Sequence, residues 1–241
     1  MFKSIQPVTK VYCMIFPIGD DQVKGGAYPY ITYLFIGFNI LIFLFEASLP
    51  MDALERFIYE YGSIPQEIQT GQDLFTLLTS TFLHGGWMHL IGNMLFLWVF
   101  GDNIEATIGN VAYLLFYIAG GLFASLAHTY FNLGSTIPSV GASGSISAIL
   151  GAYLIMFPYS KIKLLVLIFF RSFRVGAIYF LGFWIIQQLF SGIGSMGPDT
   201  AASAGVAWWA HIGGFVFGVA AGWLFRMRYP ITLQIDKEHL Y

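Results

Sequence analysis

The sequence predicts an all-α polytopic membrane protein, a bundle of six transmembrane helices. Two observations lead to this prediction. Of the 241 residues, 57% are hydrophobic and only 10% are charged, whereas about a quarter of the residues in a soluble domain are charged. The apolar residues also form long blocks separated by short polar segments, as membrane spans do. Because the net charge is only −2, the chain lacks the basic character of a nucleic-acid-binding protein.

Six apolar blocks are assigned as spans. They cover residues 30–47, 87–100, 111–127, 143–157, 175–190 and 206–225. Pro158 ends the fourth span. A further apolar block, residues 164–170, is too short to cross, and we expect it at the membrane interface or packed against the fifth span. The chain is therefore predicted to be one membrane domain, residues 30–225, between an N-terminal tail (1–29) and a C-terminal tail (226–241).

The orientation follows from the basic residues. An even number of spans places both termini on one side, and of the 11 Lys and Arg residues all but Arg56 then lie on that side. Because Lys and Arg collect in the cytoplasm, both termini are predicted to be cytoplasmic. Residues 1–28 have no apolar core, so we expect the first span to act as its own insertion signal.

Cys13 is the single cysteine, which excludes a disulfide within the chain and a cysteine-rich metal site.

The longest connection on the outer side, residues 48–84, mixes acidic and apolar side chains. Loops of this length in a compact domain are usually functional. We expect this segment to fold onto the rim of the helix bundle.

Polar side chains inside predicted spans mark candidate functional residues, because burying them in hydrocarbon is costly. His89 and Asn93 lie four residues apart on one face of the second span, with His84 just before it. Ser143 begins the fourth span, and His211 lies in the first turns of the sixth. These three spans run in the same direction, from outside to inside. Their polar residues are therefore predicted to lie at a similar depth in the outer leaflet.

The fourth span is short, and its sequence favours close helix packing. Its 15 residues give about 22 Å of helix, less than the roughly 30 Å of hydrocarbon. It therefore starts below the surface, and the irregular segment before it must line a wet cavity or be buried in protein. Small residues recur every four positions in the fourth and sixth spans: Gly144, Ala148 and Ala152, and Gly214, Gly218 and Gly222. Such stripes allow close helix approach, which would bring His211 within hydrogen-bonding reach of Ser143.

Each of these signals also has an ordinary structural explanation. A serine in a membrane helix usually bonds only to its own helix, and a histidine there is more often a packing residue than a base. His84 and His89 could hold a metal, but no carboxylate or cysteine accompanies them at a suitable spacing. The joint placement of the polar residues, rather than any one of them, favours a hydrolase.

Three sequence motifs resemble those of the rhomboid family. They are HGGWMHLIGN at residues 84–93, GASG at 141–144 and AWWAHIGG at 207–214. The resemblance extends from FPI at 16–18 through GDNIE at 101–105 to the sixth span, and so covers nearly the whole chain. The serine motif alone is unspecific, whereas the three motifs in this order on spans two, four and six are highly specific.

The resemblance implies a six-helix rhomboid-like bundle that cleaves membrane proteins with a Ser-His dyad and no acidic third member. Ser143 would be the nucleophile and His211 the general base, while His89, Asn93 and the backbone N–H of Ser143 would stabilise the oxyanion. The expected partners are single-span membrane-protein substrates and the lipid bilayer. No cofactor, metal or nucleic acid is expected. The likeness to bacterial members implies a multi-pass protein of the bacterial plasma membrane, with residues 48–84 as the family's lateral loop.

The chain departs from some rhomboids in one respect. Some members place an aromatic residue four positions after the serine, stacked on the catalytic histidine, but here that position is Ser147. The orientation of His211 must therefore come from another residue.

Two other classes of function remain as alternatives. A rhomboid-like protein that binds membrane clients without cutting them typically lacks the serine or the histidine, and this chain has both. A small transporter typically shows repeat symmetry and interrupted helices in matching halves, and the sequence shows neither. Labelling with a fluorophosphonate separates the three classes.

Overall fold

Six helices of 14 residues or more dominate the computed structural model, which describes residues 15–23, 25–196 and 206–229. They are α1 (Tyr30–Ser48), α5 (Trp87–Ile108), α6 (Asn110–Phe131), α7 (Ser143–Met156), α8 (Ala177–Gly194) and α9 (Trp208–Arg228). Each predicted span overlaps one of these helices. By length and composition, α1, α6, α8 and α9 could cross a bilayer, and α7 is a shorter apolar helix. Cys13 and most of both predicted tails lie outside the described residues.

The connection between α1 and α5, which is predicted to fold onto the bundle, contains three short helices. They are α2 (Met51–Tyr61), α3 (Pro65–Gln69) and α4 (Thr76–Thr79), followed by a 3-10 turn at Ser80–Phe82. The polar and apolar residues of α2 alternate with helical spacing, so that one face can rest on an apolar surface. This segment, residues 48–84, is called the lateral loop below.

Helix α5 continues to Ile108, past residue 100, where the second span is predicted to end. The polar run after residue 100 is typical of a loop, but here it packs inside the protein. The buried Glu105 carboxylate accepts hydrogen bonds from the backbone N–H groups of Ile31 and Thr32, each at 2.8 Å. A helix start leaves such N–H groups without partners. Glu105 therefore caps α1, and the extra helical turns of α5 position it to do so.

Helices α7 and α9 form the tightest pair of the bundle, at the positions of the two small-residue stripes. A Cβ atom added to Gly214 would overlap the carbonyl oxygen of Gly144, and one added to Gly218 would overlap that of Ala148. One turn further, a Cβ on Gly222 would lie 2.8 Å from the Cα of Ala152. The stripes thus face each other along the whole contact, as their spacing predicts. This close approach places the start of α9 beside the start of α7.

A glycine-to-alanine pair tests this packing. Gly218→Ala is expected to destabilise the protein by about 1–3 kcal/mol, because α7 and α9 must separate to make room for the methyl group. Gly182 lies in the interior of α8 with nothing within 4 Å of an added Cβ, so Gly182→Ala should be neutral or slightly stabilising. Thermal unfolding of both variants in detergent measures the difference. Equal unfolding temperatures would show that the α7–α9 contact tolerates a wider spacing.

A three-stranded antiparallel sheet joins the N-terminal segment to the end of α7. Its strands are β1 (Ile15–Gly19), β2 (Lys161–Val166) and β3 (Arg171–Gly176), in the order β1-β2-β3. The block at 164–170, expected at the interface or against the fifth span, forms part of β2 and the turn into β3. No sequence pattern indicated β1, because its partner strand lies over 140 residues further along the chain.

The residue after β1 fastens this sheet to the bundle. The Asp20 carboxyl accepts hydrogen bonds from Tyr153 Oη on α7 and, at 2.7 Å, from Asn103 Nδ2 on α5. Burial raises the pKa of Asp20 to about 8. The N-terminal segment therefore connects α5 and α7, the two helices that carry the candidate residues His89, Asn93 and Ser143, at the ends opposite those residues.

Candidate active site

Ser143 is the first residue of α7, and Ala142 before it already has helical backbone angles, so the irregular backbone ends at Gly141. Gly141 adopts a φ of +130°, which residues with a side chain rarely adopt. A Cβ on Gly141 would lie 2.8 Å from Nε2 of His89 and 3.6 Å from Oγ of Ser143. Glycine is therefore required here for conformation and for space, and the backbone at this point lies between the two side chains.

The lateral loop satisfies the backbone groups of this irregular segment. Ser63 and Ser139 exchange a pair of backbone hydrogen bonds of 3.0 and 2.9 Å, and the N–H of Gly141 donates to the carbonyl of Ser80 at 2.8 Å. Unpaired backbone groups in an apolar environment are costly. The lateral loop thus allows α7 to start inside the protein, at the half-buried Ser143.

His211, in the first turn of α9, contacts Ser143 directly. Its Nε2 atom lies 2.8 Å from Oγ of Ser143, within the range of a hydrogen bond between a nucleophile and its base. The packing of the two small-residue stripes produces this contact, because His211 lies three residues before Gly214 and Ser143 lies one residue before Gly144. The structure therefore brings together the two residues that the sequence singled out for nucleophile and base.

The other ring nitrogen of His211 contacts a residue that sequence reasoning missed. Nδ1 lies 2.7 Å from Oε1 of Gln188, on α8. The rings of Trp184 and Trp208 flank the imidazole, with centroids 5.9 and 6.1 Å away. Ser147 is not involved, since its hydroxyl donates to the Ser143 carbonyl at 2.6 Å. The sequence does contain a signal that could have identified Gln188, because it is a polar residue within an apolar span.

His89 and Asn93 lie on the other side of Ser143. All four predicted residues line one cavity of about 500 Å³, together with Phe96 of α5 and apolar residues of α7. Asn93 is 7% exposed, and its Nδ2 atom has no hydrogen-bond partner. His89 Nδ1 accepts the N–H of Gly85 at 3.3 Å, so a neutral His89 carries its proton on Nε2, the nitrogen beside Gly141. The cavity therefore has two side-chain donors available near Ser143.

A buried carboxylate on the first span supports this side of the cavity, although the polar residues singled out above lie only on spans two, four and six. Glu46 is 1% exposed and accepts the backbone N–H of His84 at 3.2 Å. The His84 ring packs edge-on against His89, with centroids 5.2 Å apart. Burial lowers the pKa of His84 to about 4, so its ring is neutral at physiological pH. His84 therefore contacts His89 as a neutral ring.

The arrangement contains the parts required for acyl transfer. A hydroxyl at a helix start lies against an imidazole, free hydrogen-bond donors face the same cavity, and the helix N-terminus favours developing negative charge. Among the described residues, no three or more His, Cys, Asp or Glu side chains are grouped to hold a metal ion.

Comparisons with known proteins agree with this architecture. Residues 71–228 match the family model of the rhomboid domain. The chain is 29% identical over 217 residues to "Rhomboid protein 1, mitochondrial" of Saccharomyces cerevisiae, covering 86% of this chain and 55% of that protein. It is 36% identical over 136 residues to "Rhomboid protease GluP" of Bacillus subtilis, covering 56% of this chain and 26% of that protein. With "Rhomboid-like protein 11, chloroplastic" of Arabidopsis thaliana, identity is 28% over 206 residues, covering 83% and 66%.

The chain thus spans between about a quarter and two thirds of the length of these relatives. The family model covers the segments that carry Ser143 and His211 at the α7–α9 contact. Together with helices apolar and long enough to cross a bilayer, this match identifies an integral membrane protein. This chain belongs to the rhomboid family.

Proposed function

We propose that this rhomboid is an intramembrane serine endopeptidase that cleaves transmembrane segments of other membrane proteins. The observation that carries the proposal is the 2.8 Å contact between Nε2 of His211 and Oγ of Ser143, at the wall of a cavity. A structural serine would need neither an imidazole partner nor unpaired donors nearby. Relatives such as the Bacillus subtilis protein are named proteases, which supports the same activity.

The proposed reaction has two half-reactions. Oγ of Ser143 attacks the peptide carbonyl while Nε2 of His211 takes its proton. The tetrahedral oxyanion accepts hydrogen bonds from Asn93 Nδ2, His89 Nε2–H and the Ser143 backbone N–H. The peptide C–N bond then breaks as His211 returns the proton to the leaving amine. Water attacks the resulting ester with His211 again as base, which releases the second product and restores the Ser143 hydroxyl.

The expected substrate is a single-span membrane protein with its amino end outside. The cavity around Ser143 is walled by apolar side chains such as Met88, Phe96 and Trp184, which favours a lipid-embedded segment. A peptide bond within a regular helix is shielded, so the substrate must unwind locally. We therefore expect helix-weakening Gly, Pro or Asn within its span, and a small residue such as alanine before the cut.

The proposal includes a membrane arrangement. All six long helices would cross the membrane, forming the domain of residues 30–225, with both terminal tails in the cytoplasm. The ten-to-one distribution of Lys and Arg supports this orientation, and the likeness to a Bacillus subtilis protease supports a bacterial plasma membrane.

An impermeant thiol reagent applied to intact cells should label a cysteine placed at Asp52 and leave Cys13 unlabelled. The reverse pattern would contradict the orientation.

The experiment that tests the function combines labelling and cleavage. Purified protein in liposomes should react with a fluorophosphonate at Ser143 and cut a single-span reporter. Replacing the reporter's Gly, Pro or Asn by leucine, with the cut site unchanged, should slow cleavage. A folded protein that neither labels nor cuts would instead be a client-binding rhomboid, and cleavage that is indifferent to helix strength would remove unwinding from the mechanism.

A further inference from the structure

The base of the proposed dyad has a third hydrogen-bonded partner, Gln188. Its Oε1 atom lies 2.7 Å from Nδ1 of His211, on the side of the ring opposite Ser143. An amide carbonyl oxygen can only accept a hydrogen bond. Nδ1 must therefore carry the ring proton, and Nε2 of a neutral His211 then presents its lone pair to the Ser143 hydroxyl.

This tautomer is the one that can act as a base. If the proton were on Nε2, the imidazole would donate to Ser143 and could not take its proton. The hydrogen bond from Nδ1–H of His211 to Oε1 of Gln188 also becomes stronger when the ring is positively charged, because hydrogen bonds that involve a charged group are stronger than neutral ones. Gln188 thus stabilises the state of His211 that forms during proton transfer.

The surroundings of Gln188 indicate that this contact is built into the fold. Gln188 is 3% exposed, whereas its neighbours Gln187 and Leu189 are exposed on the outer face of α8. One turn further, a Cβ on Gly192 would lie 3.0 Å from Ile212 and 3.6 Å from Trp208. Gly192 therefore lets α8 approach the first turn of α9, the turn that carries His211.

A neutral amide suits this position better than a carboxylate. An ionised carboxylate buried among apolar helices carries a large desolvation cost, whereas an amide oxygen orients the ring at a much smaller one. The contact also explains how His211 is held in a chain whose position 147 is serine, not an aromatic residue.

We propose that Gln188 is the positioning residue of the active site: its Oε1 atom accepts Nδ1–H of His211 and so fixes the tautomer and orientation in which Nε2 deprotonates Ser143. The inference rests on the proposed function and names the residue that orients its base. Gln188 does not line the cavity around Ser143.

Three variants in liposomes, assayed with a cleavable single-span reporter, test the kinetic part. In Gln188→Met the new side chain has a similar length but no comparable hydrogen-bond acceptor. This variant should therefore lower kcat by roughly ten- to a hundredfold with KM unchanged. Gln188→Glu keeps an acceptor oxygen of the same reach and should retain more of kcat than Gln188→Met, although desolvation of its carboxyl group should lower the unfolding temperature. The control Gln187→Met changes the neighbouring, outward-facing glutamine and should leave both constants unchanged.

A spectroscopic measurement tests the tautomer without relying on activity. In protein labelled with ¹⁵N-histidine, the nitrogen shifts of His211, assigned by their loss in His211→Gln, should indicate Nδ1–H in the wild type. Gln188→Met should shift His211 toward Nε2–H, and Gln188→Glu should not. If the wild type neither cleaves nor labels, the proposed function fails, and these shifts still decide the role of Gln188.

Two results would overturn the inference. One is a Gln188→Met variant with unchanged kcat and an unchanged His211 tautomer. The other is an equal loss of kcat in Gln188→Met and Gln188→Glu while the His211 tautomer stays the same in both, which would make Gln188 a packing residue.

Discussion

Ser143→Ala and His211→Ala are each expected to reduce cleavage below detection while leaving the protein folded. In a soluble serine protease, losing the serine or the histidine costs about a millionfold in kcat. Here both residues belong to one hydrogen-bonded unit, joined at 2.8 Å. The double variant should therefore be no slower than either single variant, because neither residue can act without the other.

The measurement is reporter cleavage and fluorophosphonate labelling in liposomes, with thermal unfolding to confirm the fold. Ser145→Ala is the matched control: Ser145 lies two residues away on the same helix, is 1% exposed, and does not line the cavity around Ser143. It should retain activity. A well-folded Ser143→Ala variant with full activity would end the protease proposal.

Asn93→Ala is expected to lower turnover by roughly a hundredfold, the usual cost of losing one oxyanion donor. KM should change little, because the hydrogen bond forms with the oxyanion and not with the bound substrate. The stability of the variant should not fall, since Nδ2 of Asn93 is buried without a partner in the folded protein. A loss of activity without a loss of stability distinguishes a residue kept for catalysis from one kept for packing.

Asn39→Ala provides the comparison. Asn39 is also a buried asparagine, but it lies on α1, and its Nδ2 atom donates to the Phe35 carbonyl at 2.7 Å. Its replacement should lower the unfolding temperature and leave kcat unchanged. An Asn93→Ala variant with the wild-type rate would assign Asn93 to structure and leave His89 and the backbone N–H of Ser143 as the oxyanion donors.

Much of the fold follows from patterns that are local in the chain. Blocks of apolar residues predict helices, because each helix satisfies its own backbone groups in lipid. The four-residue spacing of small side chains predicts which faces of α7 and α9 meet, since that spacing returns to the same helix face. The positions of Ser143 and His211 relative to Gly144 and Gly214 then imply the contact between them.

The features that the sequence did not predict join residues far apart along the chain. Strand β1 pairs with β2, and Glu105 caps the start of α1 from the far end of α5. Glu46 bonds the backbone of His84 across 38 positions. The periodicity of a single segment does not reveal such pairs, because each partner taken alone resembles an ordinary residue at the end of a span.

The membrane class, the order of the helices and the candidate serine–histidine pair can be predicted from the sequence, since these depend on hydropathy and on spacing within single helices. Which nitrogen of His211 faces Ser143 is visible only in the folded protein. We attribute that orientation to Gln188, which lies 23 residues from His211 on another helix and is buried where its neighbours are exposed. A helix carries its own backbone hydrogen bonds, but a side-chain hydrogen bond between two helices exists only where packing brings donor and acceptor within about 3 Å.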